Sequence, residues 1–339
     1  HPFLLGDSAL RTARSLHLPL IFTHHTLYEQ YTHYVPFDSK TMKRFVIHLV
    51  TEYANLCDAV ITPSLSVADL LRERGVTRPI EEIPTGVDTD FFAGGDGNRF
   101  RKRYNIAEDT LVIGHLGRLA KEKNLPYLAE AVVRFLGGGR RKACFLVAGK
   151  GDAENDIHNT FAEAGQEKKL VKVGILTGND LADCYRAMDL FVFASKSETQ
   201  GLVLAEAMAA ATPVVALNAS GVREVVKDGI NGLLLHSDAS TGTFSEAITR
   251  LADMEEKGRL HMQQEALKSA AEFSRQQSVH RLLDLYERTR ARYDAAKVKK
   301  EGGRLEAIIN RLETEWELLS EKLEAVSETF SEDTERGSS

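Results

Sequence analysis

Five apolar runs, each closing on a glycine or a polar turn, constrain the second half of this chain more than any other feature. They are LVIGHLG (residues 111–117), CFLVAGKG (144–151), LVKVG (170–174), LFVFAS (190–195) and PVVAL (213–217). Near-continuous apolar runs of this length belong to strands covered on both faces, as in a parallel sheet flanked by helices. Helical patterns fill the intervals, so the region reads as α/β. The first hundred residues repeat the scheme. PLIFT (19–23) and AVIT (59–62) read as strands and 40–56 and 66–73 as helices, and 80–84 leads into the turn Thr85-Gly86-Val87-Asp88. The glycine-rich stretch 94–98 reads as a linker. A chain of 339 residues has room for two such domains.

Charge and cysteine usage exclude several classes. The formal net charge is −6, and residues 1–103 carry twelve basic and twelve acidic side chains. Nucleic acid as a main partner would call for a basic patch, and the balanced charge of 1–103 argues against one there. Cys57, Cys144 and Cys184 lie in apolar surroundings without metal-ligand or redox spacing, and read as reduced thiols of a cytoplasmic protein. No apolar run approaches membrane-span length, and no signal peptide is visible. The chain opens His1-Pro2-Phe3 without methionine, so the expectation is that it begins inside a domain. Near the other end, Leu305, Ile309, Leu312, Trp316, Leu319, Leu323, Val326 and Phe330 recur with 4-3 spacing. That seam fits a self-associating coiled coil, and equally an amphipathic helix folded onto its own domain.

In parallel α/β sheets, ligands bind beyond the carboxyl ends of the strands. Two loops there carry chemistry. GRLAKEKN (117–124) follows the first strand of the second half and offers Arg118 and Lys123. Two cations so placed suit an anion with several oxygens, though a solvated loop would look similar. The run 197–206 holds Glu198 and Glu206 eight positions apart, an E-x7-E element. A loop leads into a helix at about Leu202, whose start would aim the amides of Gln200, Gly201 and Leu202 at a phosphate. Glu198, beside Thr199, could accept hydrogen bonds from hydroxyls, and so could Glu206. A nucleotide sugar has hydroxyls at both ends and phosphates between. The plainer alternative is two surface glutamates. The loop Gly149-Lys150-Gly151-Asp152 lacks the spacing of a P-loop or of G-x-G-x-x-G, so ATP hydrolysis and nicotinamide binding lose support.

Taken in order, these motifs resemble the retaining glycosyltransferases of family four (group 1), which have the GT-B fold. GRLAKEKN, AGKGD (148–152), E-x7-E, AMAAATPVVA (207–216) and SGVREVVKDGINGLLL (220–235) carry the resemblance in the second half. FTHHTLYEQY (22–31), PSLSVADLL (63–71) and IPTGVDTDFF (83–92) carry it in the first. The resemblance implies two Rossmann-like α/β domains facing a cleft, plus a C-terminal helical or coiled-coil extension. Expected boundaries are 1–107 for an incomplete N-terminal acceptor domain and 108–276 for the donor domain. A helix at 277–298 would cross back, followed by the heptad helix at 299–330 and a disordered tail at 331–339. It further implies that Arg118 and Lys123 grip the donor diphosphate and Glu198 the sugar hydroxyls. Thr199, Gln200, Gly201 and Leu202 would line sugar and phosphate, and Glu206 would bind ribose. Gly117, Gly149, Gly151 and Gly174 would shape the donor site, and His25 would face the transferred sugar. Gly86 would sit at the interdomain cleft. Arg275 stands where the family often has tryptophan, which predicts a less secure docking of the last helix.

The implied reaction is retaining transfer of a hexosyl group from a nucleoside-diphosphate sugar, UDP-glucose-like, with no metal and no cofactor. The loop variant S-E-T-Q-G resembles that of enzymes glucosylating diacylglycerol. A lipid or glycan acceptor is therefore expected, with peripheral contact at the inner face of the membrane and homo-oligomer formation through 305–330. Two other readings stay open: a nucleotide-sugar epimerase of the same fold, and a non-catalytic nucleotide-sugar-binding or assembly subunit.

Overall fold

The computed structural model describes residues 2, 5–30, 39–139 and 141–298. The chain divides into two units. One comprises Thr85–Val279, the other the residues up to Pro84 together with those from His280.

The first unit has a parallel sheet in the order β1 (Ile21–Thr23), β2 (Ala59–Thr62), β3 (Ile80–Glu82). The helix Lys40–Leu56 begins where Ser39 accepts from Met42 N at 3.0 Å. Ser64 does the same for Leu65–Glu73 through Val67 N. Side-chain oxygens of this kind satisfy amides that a helix start leaves unpaired. One sheet face packs through Phe22 and Val60 onto Leu10, Val50, Tyr53 and Leu71. The other packs through Ala59 and Ile61 onto Ile83 and Leu285, the latter from the helix Arg275–Val298. Arg288 of that helix pairs with Glu81 at 2.9 Å. Arg275 donates its own amide to Val87 O at 2.9 Å.

The second unit is a six-stranded, all-parallel sheet. Its strands are β4 (Leu111–Leu116), β5 (Ala143–Ala148), β6 (Leu170–Gly174), β7 (Leu190–Phe193), β8 (Val214–Leu217) and β9 (Gly232–Leu235). Their spatial order is β6-β5-β4-β7-β8-β9. Counted within this unit the order is 3-2-1-4-5-6, the Rossmann arrangement, with its switch point between β4 and β7. Val112, Leu146, Phe191 and Val214 enter one core layer. Their chain neighbours Ile113, Phe145, Val147, Leu190, Val192 and Val215 enter the other. Burial on both faces explains why the runs show no alternation. β9 was not foreseen as a strand, since GLLL is short and merges with the turn before it.

Two expectations about organisation need correction. Residues 94–98 do not form a linker, and the boundary does not fall at 107/108. The helices Thr89–Ala93 and Gly97–Arg103 pack on the second unit, where Phe92 and Phe100 join the core beside Tyr185. Asp183, almost fully buried, accepts from Asp96 N at 2.7 Å and from Arg99 Nε at 2.8 Å. Arg101 reaches Asp189 at 2.8 Å, and that carboxylate also takes Val112 N at 2.7 Å. Polar composition disguised a segment whose charges pair within the second unit, one of them with the buried Asp183.

All three cysteines are free and buried, and burial pushes the Cys57 thiol up to about 12 and Cys144 to about 11. Among the described residues no helix is long and apolar enough to cross a membrane. The heptad seam 305–330 and the tail 331–339 lie outside the described residues, as does Tyr31.

Candidate active site

The loops after β4 and β7 flank the switch point, so GRLAKEKN and SETQG are neighbours although distant in sequence. Lys123 Nζ lies 2.6 Å from Glu198 Oε1, and the two side chains are only 18% and 15% exposed. Arg118, half exposed, pairs with Glu122. The loop is stitched to the end of β7 by residues that sequence reading had passed over. Asn124 Nδ2 donates to Ala194 O at 3.2 Å, and Ser195 Oγ to Glu122 O at 3.4 Å. Asn124 has φ 56°, a left-handed conformation that asparagine tolerates better than most residues. It ends the turn carrying Lys123 and starts the helix Leu125–Gly137.

Gly117, Gly149, Gly151 and Gly174 lie together where β4, β5 and β6 end. Gly117 N donates to Ala148 O at 3.1 Å, Gly149 N to Gly174 O at 2.7 Å, and Leu119 N to Lys150 O at 3.0 Å. At Gly149, with φ +136°, a Cβ would fall 1.9 Å from Gly117 O. Backbone thus lies where side chains would otherwise stand.

Leu202–Ala209 is a helix entered from Gly201, and Leu204, Ala205, Ala207 and Met208 are buried. Glu206, in its second turn, is largely buried and accepts from Tyr185 Oη at 2.7 Å. Burial raises its carboxyl group above the usual range, opposed by that hydrogen bond. It is therefore not a surface glutamate. Thr199 is partly buried. The side chain of Gln200 is buried and bonded to the backbone of Thr85. Gly86, expected at a cleft, is pressed on the backbone of Arg275, where a Cβ would lie 2.4 Å from Arg275 Cα.

His25 belongs to the first unit and is exposed. Its neighbour His24 is fully buried, edge-on to Phe22 and Tyr28. Of the two histidines in THHT, only His25 is exposed.

His115 was also passed over. It sits near the end of β4 with Nδ1 3.0 Å from Val192 O, stacked on Phe191 and Phe193, and its Nε2 has no partner. Burial lowers its pKa from 6.5 to about 4. The folded value lies below the unfolded one, so between those values the unfolded chain binds the additional proton. Stability is therefore full above about pH 6.5 and declines as pH falls through 4, by about 3 kcal/mol for this residue. Urea midpoints at pH 7 and pH 4.5 test this: His115→Phe is expected to lose markedly less stability than the parent. An equal loss would assign the acid sensitivity elsewhere.

Among the described residues, no group of three or more His, Cys, Asp or Glu side chains is placed to hold a metal ion.

Two α/β units of the GT-B type, one with a cationic loop and a carboxylate loop at its switch point, define the class by fold. Comparison with known proteins names the family. Residues 96–271 match the family described as glycosyl transferases group 1, and residues 1–91 match Glycosyltransferase Family 4. The chain belongs to the group 1 glycosyltransferases. It is 30% identical over 260 residues to the alpha-monoglucosyldiacylglycerol synthase of Streptococcus pneumoniae, covering 75% of this chain and 59% of that protein. It is 30% identical over 297 residues to the D-inositol 3-phosphate glycosyltransferase of Stackebrandtia nassauensis, covering 84% and 66%. The chain thus spans roughly three-fifths to two-thirds of the length of these relatives. In fold it is similar to Anabaena HepE, solved in complex with UDP and glucose, with TM-score 0.68, 20% identity, and 83% and 76% of the two chains covered.

Proposed function

We propose that the protein transfers a hexosyl group, with retention, from a UDP-glucose-like donor to a lipid hydroxyl, without a metal. The observation that carries this reading is the 2.6 Å contact of Lys123 with Glu198. It draws a phosphate-type cation and a hydroxyl-type carboxylate into one place at the switch point. In this reading Arg118 and Lys123 take the diphosphate, Glu198 the sugar hydroxyls, and Glu206 the ribose. The bond from the anomeric carbon to the β-phosphate oxygen breaks as charge builds on that oxygen. The acceptor oxygen bonds the same carbon from the same face, and its proton passes to the departing phosphate. Preorganised cations at the leaving group supply the largest stabilisation. No protein nucleophile is assigned, and His25 orients the sugar.

The lipid acceptor is supported by the diacylglycerol named for the pneumococcal relative. It implies work at the inner face of a membrane. The epimerase alternative finds no support, since these relatives are named as a synthase and a glycosyltransferase.

The test is a thermal-shift screen with UDP-, GDP- and ADP-sugars, followed by transfer to diacylglycerol in mixed micelles with and without EDTA. UDP-glucose is expected to raise Tm most, and EDTA to leave transfer unchanged. No shift with any nucleotide sugar would overturn the reading. Transfer only to a soluble acceptor would overturn its lipid part.

A further inference from the structure

The loop bearing Glu198 is held by a contact that the donor chemistry does not use. Gln200 is 5% exposed, and its side chain pairs with both backbone polar groups of one residue. Its Oε1 accepts from Thr85 N at 2.8 Å, and its Nε2 donates to Thr85 O at 2.9 Å. A primary amide offers one donor and one acceptor side by side, as this pairing requires. Asparagine has the same groups on a stem one methylene shorter. On another side, Gly221 has φ +73° and comes so close that a Cβ there would fall 2.6 Å from Gln200 N. The loop is thereby gripped twice. Thr85 is a firm anchor: two residues on, Val87 N donates to Phe273 O at 2.8 Å and Val87 O accepts from Arg275 N at 2.9 Å.

We infer that Gln200 is a positioning residue for the donor site, acting through the Thr85 backbone to hold Glu198 and the loop amides where sugar and phosphate are received. The inference rests on the nucleotide-sugar reading above. Gln200 need not touch the donor. Losing its amide would remove both bonds to the Thr85 backbone and free the loop to sample other arrangements, an ordering cost that the donor must then meet on binding.

Two variants separate this role from simple packing. Gln200→Met keeps the volume and removes both hydrogen bonds. Gln200→Glu sets a carboxylate against the Thr85 carbonyl at pH 8, whereas the protonated carboxyl again offers one donor and one acceptor. Calorimetry with UDP-glucose and with UDP, from pH 5.5 to pH 8, is read as the ratio of variant to parent at each pH. That ratio removes the titration of groups common to both proteins, including Glu198 and the nearby Asp88–Arg275 pair. Gln200→Met is expected to weaken UDP-glucose about tenfold at every pH, and UDP less. Gln200→Glu is expected to be weaker still at pH 8 and to recover toward the parent at pH 5.5. Without ligand, amides of 198–201 should exchange hydrogen faster in Gln200→Met. Parent-like UDP-glucose affinity in both variants would overturn the inference, and so would a Gln200→Glu ratio independent of pH. Failure of the nucleotide-sugar reading looks different: the parent itself would bind no donor. Hydrogen exchange then decides alone, with unchanged rates in Gln200→Met overturning the inference.

Discussion

Lys123→Ala is expected to lower transfer from UDP-glucose by about a hundred- to thousandfold while the protein stays folded. Removing one preorganised donor from a site of developing negative charge costs about 3–4 kcal/mol of transition-state stabilisation. The structure adds a second loss. Lys123 is the 2.6 Å partner of Glu198, whose side chain is 15% exposed. Without it the carboxylate stands largely desolvated and unpaired, free to repel the diphosphate or to swing away from the sugar. Ground-state binding should therefore weaken too. Glu198→Ala is expected to cause a comparable collapse from the opposite side, leaving the ammonium without its partner. Single-turnover kinetics with far-UV circular dichroism check both. Near-normal turnover in either folded variant would remove these two residues from the mechanism.

Gly149→Ala is expected to cost the second unit roughly 3 kcal/mol or more and to abolish the donor-induced rise in Tm. The methyl group would sit 1.9 Å from Gly117 O, a backbone atom that cannot rotate away. To admit it, the ends of β4 and β5 must separate, breaking the bonds from Gly117 N to Ala148 O and from Gly149 N to Gly174 O. Gly165→Ala is the control. Gly165 also has a left-handed φ, +64°, but a Cβ there meets nothing within 4 Å. It should show the conformational part alone, about 1 kcal/mol. Equal losses in urea denaturation would mean that the close approach at Gly149 carries no energetic weight.

Much of this was legible in the chain. The strands β2 and β6 and the helix Lys40–Leu56 fall where periodicity puts them, because apolar run length and side-chain caps act locally. The helices at 89–93 and 97–103 were not foreseen, for the opposite reason. GGDGN looks like a linker until Asp183, 87 residues beyond Asp96, is seen to accept its amide. Asn124, Ser195, Tyr185 and His115 went unremarked because each matters only through a partner on another element. Their one sequence signal is a polar residue set in or beside an apolar run, as in VIGHLG and CYRAMDLFVF.

By itself, the sequence determined the first five buried parallel strands of the second unit and which loops carry cations or carboxylates, since both depend on residues adjacent in the chain. Only the tertiary structure decided that β4 lies beside β7, and hence that Lys123 meets a glutamate 75 positions away. The physical reason is that parallel strands hydrogen-bond through a backbone common to every residue. Neighbours among similar apolar strands are selected by how the connecting helices pack, a property of the assembled core and of no single stretch.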